Sequence, residues 1–198
     1  MNTLRRAGFL VLFFLFVTQS GFAAARSWEM DKAHSNIYFS IDHIFSRVHG
    51  LFNEFTAEVN FDPANLAESK FVFAIKTDSI NTNIAKRDKH LQSADFFDAA
   101  KYPEMTFVSE TITDAGNGLY QVAGKLTIKG ESYDLILPLK LAGVKEHPTA
   151  KGKEVIGFNG SVILDRLAHK VGTGKFYDMG VVGKDVDVLV TLELLSEK

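Results

Sequence analysis

The sequence predicts an all-β fold, an extended antiparallel barrel of eight strands with one short helical excursion. Apolar and polar residues alternate in eight successive runs, the period of two that sends neighbouring side chains to opposite faces of a strand. Turn residues separate several runs at short spacing, which suits antiparallel pairing. Closing such a sheet on itself also removes the unpaired edges that invite aggregation.

Taken in order, the first run, Ser35 to His43, places Ile37, Phe39 and Ile41 on one face against Asn36, Ser40 and Asp42. The second sets Leu51, Phe55, Ala57, Val59 and Phe61 against Glu54, Glu58 and Asn60. Phe71, Phe73 and Ile75 mark the third, and Met105, Phe107 and Val108 a fourth with a less regular face. Gly116-Asn117-Gly118 then reads as a hairpin, because these residues tolerate positive backbone angles. Tyr120, Val122, Leu126 and Ile128 form the fifth run, and Lys129-Gly130 turns into a sixth with Tyr133, Leu135, Leu137, Leu139 and Leu141. Ile156, Phe158, Val162 and Leu164 make the seventh, and Val186, Val188, Val190, Leu192 and Leu194 the eighth.

The helical excursion lies in Asn83 to Phe97, where Ile84, Arg87, Leu91 and Ala94 recur at helical spacing and Asn81 or Asn83 offers an N-cap. Tyr102-Pro103 ends it, since the residue before proline is driven to extended geometry. Strand runs of nine to eleven residues, at about 3.3 Å per residue and a tilt of about 40°, give a barrel about 25 Å tall. That height suits an elongated guest.

The chain has 198 residues, 46% hydrophobic and 23% charged, which indicates a folded globular protein. Arg5 and Arg6, the apolar run Ala7 to Val17 and the small residues Ala23-Ala24-Ala25 have the layout of a secretory signal peptide cleaved after Ala25. The apolar run is too short for the roughly 20 residues of a spanning helix. Residues 26–198 then form a single mature domain in the periplasm, and loss of Arg5 and Arg6 moves the net charge from −2 to −4. No basic surplus exists to release counterions from nucleic acid. The chain contains no cysteine, so burial and hydrogen bonding must hold the domain without disulfides.

Motifs for chemistry fail on spacing. Gly172-Thr173-Gly174-Lys175 lacks the third glycine and the following helix of a dinucleotide loop, and neither G-x-S-x-G nor H-E-x-x-H occurs. The six histidines match no local metal motif, so no metal or cofactor is expected. His43 continues the parity of Ile37, Phe39 and Ile41, which makes it either a strand-end histidine bonded to a backbone carbonyl or a polar contact for a ligand head group. Lys86, Arg87, Lys89 and His90 read first as a solvated helix face. Arg87 shares the spacing of Ile84 and Leu91, however, and is placed to lean over an apolar opening toward an anionic or carbonyl-bearing head.

His34-Ser35 with Ile37, Phe39, His43, Val48, Gly50 and Phe52 resembles the opening of the YceI family of periplasmic proteins. Similar, and more specific because long and irregular, is the block Arg87-Asp88-Lys89-His90-Leu91, Asp95-Phe96-Phe97-Asp98 and Lys101-Tyr102-Pro103. Gly124 to Gly130 also matches, and the likeness runs over nearly all of residues 27 to 195. The segment 165–180 departs from the family pattern, reading Leu167-Ala168-His169-Lys170-Val171-Gly172 after Arg166.

The resemblance implies a lipocalin-like barrel whose interior binds a polyisoprenoid or similar long lipid, with no catalytic activity. The apolar wall is then assigned to Phe39, Phe55, Phe73, Phe107, Leu137 and Phe158, each of which also reads as packed core. His43 and Arg87 are the polar-head candidates. Two other classes stand beside this soluble carrier. One is a secreted enzyme using His43 or Arg87 on a lipid head group. The other is an outer-membrane barrel, for which one Trp and five Tyr make poor aromatic girdles. The reading carries no stable membrane insertion and no nucleic-acid partner, and it leaves a homodimer open.

Overall fold

The computed structural model describes residues 24–198; residues 1–23 of the expected signal peptide lie outside them. The strands are β1 (Ser27–Met30), β2 (Asn36–His43), β3 (Ser46–Phe52), β4 (Phe55–Asn60), β5 (Lys70–Lys76), β6 (Ile80–Asn81), β7 (Glu104–Asp114), β8 (Leu119–Ile128), β9 (Glu131–Glu146), β10 (Lys153–Asp165) and β11 (Val182–Glu197). Helix α1 spans Ala85–Gln92 and the single turn α2 spans Lys175–Asp178.

These pieces form an eight-stranded closed antiparallel barrel because three walls are composites. β1 and β2 both pair with β11, at Leu194–Leu195 and at Val182–Thr191, while β4 pairs with β1 and β3 with β2. β1/β2 is thus one wall broken at Asp31–Ser35, and β3/β4 another broken at Asn53–Glu54. β6 pairs with β3 and continues the wall begun by β5. β7 to β11 complete the ring, and the β1–β11 pairing shuts it.

At the first break the Ser35 hydroxyl donates to the Glu193 carbonyl and accepts from its N–H, both at 3.1 Å, replacing rungs that the bend removes. At the second break two residues sit between β3 and β4, and the side-chain parity flips. Val48 and Phe52 face inward on β3, whereas Phe55, Ala57 and Val59 do so on β4, so Leu51 does not share the face of Phe55. A bulge between Ser109 and Thr111 accounts for the irregular fourth run, since Met105 and Phe107 before it and Ile112 beyond it are all buried.

Glycine and asparagine punctuation works as the sequence predicts. Gly116, Asn117 and Gly118 all have positive φ between β7 and β8, as do Lys129 and Gly130 between β8 and β9. Helix α1 starts at Ala85 after Ile84, with no side-chain cap. Asn81 accepts from the Asn83 N–H instead, and Asp88 accepts from Thr82. The short α2 adds a second helical piece within the segment 165–180.

One end of the interior is solid. Phe61 lies 5.0 Å from Tyr120 and 5.0 Å from Phe158, both edge-on. Phe71, from β5, meets Phe158, from β10, at 5.3 Å. Quadrupole-favoured edge contacts of this kind add to the area each ring buries.

Candidate functional site

Away from that aromatic plug the inward side chains no longer fill the barrel. They leave a cavity of about 360 Å³, within the size range of small-molecule sites. Ile37, Phe39 and Ile41 of β2 face Met105 of β7, Leu126 and Ile128 of β8, and Leu164 of β10 across it, with Val186 and Val188 of β11 alongside. Along β2 the lining runs from Ile37 to His43, about 20 Å at 3.3 Å per residue.

The mouth is framed by α1 and its following loop, by the segment 165–181, and by the β2–β3 hairpin. Phe96 stacks on Phe176 at 6.3 Å and 17°, and His90 meets both rings edge-on at 5.1 and 6.0 Å. Phe97 reaches inward to Phe52 at 6.0 Å. Two segments far apart in sequence are thereby joined over the opening.

Arg166 anchors the second of them. It is only 6% exposed, and its guanidinium donates to the carbonyls of Gly183 (2.7 Å), Val171 (3.0 Å) and Val182 (3.4 Å). Burial lowers its pKa, yet an arginine stays charged at any physiological pH. Asp165 completes the anchor. Its carboxylate accepts from Lys184 Nζ at 2.8 Å and from the N–H groups of Leu167 and Ala168, and these bonds hold its pKa below the usual aspartate value.

Three of the residues singled out in the sequence meet at this cavity: Phe39, His43 and Arg87 all line it. Arg87 leans over the opening as its spacing suggests, while its Nε and Nη2 donate to the Thr82 hydroxyl and carbonyl, both at 2.7 Å. The His43 ring makes no hydrogen bond among the described residues, so the backbone-carbonyl alternative is not what the structure shows. His169, also in the lining, bonds the Asp165 carbonyl through Nδ1 at 2.7 Å.

The other five wall candidates lie elsewhere. Phe73 and Phe107 face inward but stack on each other at 6.0 Å, and Leu137 and Phe158 belong to the filled core. Phe55 borders a separate, more polar hollow with Lys32, Glu54 and Glu104. Alternation identifies an inward face without saying where along the barrel it is filled. Met105 and Leu126 escaped selection for that reason, whereas Phe96 and Arg166 lie outside the alternating runs. A signal for the boundary did exist, since Phe61, Phe71 and Phe158 concentrate large rings at one level.

A family model described as a YceI-like domain matches residues 28–194. The chain is 33% identical over 182 residues to Protein YceI of Escherichia coli O157:H7, covering 90% of this chain and 92% of that one. Among solved structures it is similar to BcnA of Burkholderia cenocepacia, with a TM-score of 0.73 and 30% identity over 85% of this chain and 99% of that one. A polyisoprenoid binding domain from Saccharophagus degradans shares the fold, with a TM-score of 0.59 at 14% identity over 86% of this chain and 98% of that one. Barrel topology and sequence agree, and the chain belongs to the YceI-like domain family.

Proposed function

We propose that this protein is a soluble carrier or store for a long isoprenoid lipid, exported to the periplasm by its first 25 residues. The observation that carries the reading is the apolar cavity above the aromatic plug, with Phe39, Ile41, Leu126 and Val188 on its walls and an opening beneath α1 and α2. Moving an alkyl tail from water onto such walls gains about 25 cal/mol per Å² of apolar surface removed. The fold shared with a domain named for polyisoprenoid binding supports the choice of tail. His43 and Arg87 stand where a head group would emerge.

Mass spectrometry of lipid extracted from protein purified from its native host tests the reading. Co-purified prenyl chains, lost when Val188→Trp fills the cavity, are the expected result. An empty protein, or one loaded equally in the Trp variant, overturns it. Release with the soluble fraction on osmotic shock, with a chain beginning at Arg26, tests the location.

A further inference from the structure

The β2–β3 hairpin breaks the rules of its own turn. His43 pairs directly with Ser46, leaving a two-residue connection of Ile44 and Phe45. Such turns favour glycine, asparagine or aspartate because positive φ is needed. Here Ile44 has φ +51, and a β-branched side chain in that region is an outlier that concentrates at functional positions. The strain serves no packing, since Ile44 is 58% exposed and Phe45 is 102% exposed.

The surroundings are alike. The Ile44 N–H donates to the Val181 carbonyl at 3.0 Å, which ties the hairpin to the end of the 165–181 segment, where Met179 is 62% exposed and Tyr177 also protrudes. Ile84, at the start of α1, is exposed at the same cavity mouth. Lys86 and Lys89 of α1 and Lys175 of α2 are exposed and make no ion pair among the described residues, nor does Arg87; of the carboxylates on these helices and the loop after α1, Asp88 is held by Thr82, Asp95 meets His90, and Asp98 and Asp178 make no ion pair. Apolar tips ringed by unpaired lysines match an anionic bilayer, whose headgroups attract the cations while its acyl boundary receives the rings.

We propose that the cavity mouth is a membrane-docking face: Ile44, Phe45 and Met179 insert into an anionic phospholipid surface, and Lys86, Lys89 and Lys175 hold the headgroups. The inference rests on the carrier reading, because docking there would let a lipid tail pass between bilayer and cavity without crossing water. Insertion is shallow, and no helix among the described residues is long and apolar enough to cross a membrane.

Co-sedimentation of the mature protein with vesicles tests it, comparing phosphatidylcholine alone with an equimolar mixture of phosphatidylcholine and phosphatidylglycerol. Binding is expected to the mixed vesicles and to weaken with salt. Losing a buried phenylalanine contact makes the Phe45→Ser protein bind roughly tenfold more weakly, with its melting midpoint unchanged. Replacing Lys86, Lys89 and Lys175 together by Gln abolishes the preference for phosphatidylglycerol. No vesicle binding, or binding indifferent to both variants, overturns the proposal, as does a dimer that Phe45→Ser dissociates without any vesicle binding. Prenyl lipid in a protein that ignores vesicles refutes docking alone. Vesicle binding by a protein that never carries lipid refutes the carrier reading instead.

Discussion

Phe71 and Phe158 belong to walls on opposite sides of the eight-membered ring, yet their rings meet edge-on at 5.3 Å. The barrel is therefore spanned at that level by aromatic contact, and the cavity begins only beyond it.

Phe158→Ala should cost about 3–5 kcal/mol, the usual range for removing a fully buried ring, because neighbours fixed in a closed barrel relax little. Urea denaturation measures that loss.

Arg166→Ala removes the donor to three carbonyls at once. Leaving buried acceptors unsatisfied is expected to cost about 2–4 kcal/mol and to free the 165–181 segment before the barrel unfolds. Hydrogen exchange should show protection lost first at Val171 and Val181, with β7 and β8 unchanged.

Gly172→Ala strains the same segment from the other side. The residue has φ +94, and a Cβ there collides with Arg166 Nη1 and comes within 3.3 Å of Phe96. A loss of about 1–3 kcal/mol is expected, together with movement of Phe96 off Phe176, visible as changed chemical shifts of both rings.

Acid should loosen the mouth before the barrel. The hydrogen bond from Lys184, backed by the Ala168 and Leu167 amides, holds the pKa of Asp165 below its unfolded value. Its contribution is fully present above the ordinary aspartate range and is lost as pH falls through the folded value. The ion pair is partly exposed and screened, so Asp165→Asn is expected to cost only about 1 kcal/mol. In that variant the stability difference from native protein should vanish toward low pH, which chemical denaturation at several pH values would reveal.

Relieving the hairpin separates stability from function. Ile44→Gly accepts positive φ freely and should stabilise the fold by about 1 kcal/mol while weakening vesicle binding. Thermal denaturation and co-sedimentation of the same sample give the two readings.

Much of this architecture was legible in the alternation of side chains. All eight runs correspond to barrel walls, and the turns at Gly116–Gly118 and Lys129–Gly130 fall where glycine and asparagine put them. β1 escaped because four residues before the Asp31–Ser35 bend are too few to show a period. The start of β3 escaped because the Asn53–Glu54 break reverses parity, so Leu51 fell on the wrong face. For the cavity, the parity of Ile37, Phe39, Ile41 and His43 led to one wall and the spacing of Arg87 to its rim. The anchoring of Arg166 on carbonyls 5 to 17 residues away is invisible locally, since no period links a buried cation to backbone oxygens.

Among the described residues the sleeve is corked at one end by Phe61, Phe71 and Phe158 and opens at the other beneath α1 and α2. For the carrier proposed above, a guest using that opening would enter tail first and leave head first, so loading and unloading would compete for one vacancy and donor and acceptor would take turns at the same threshold.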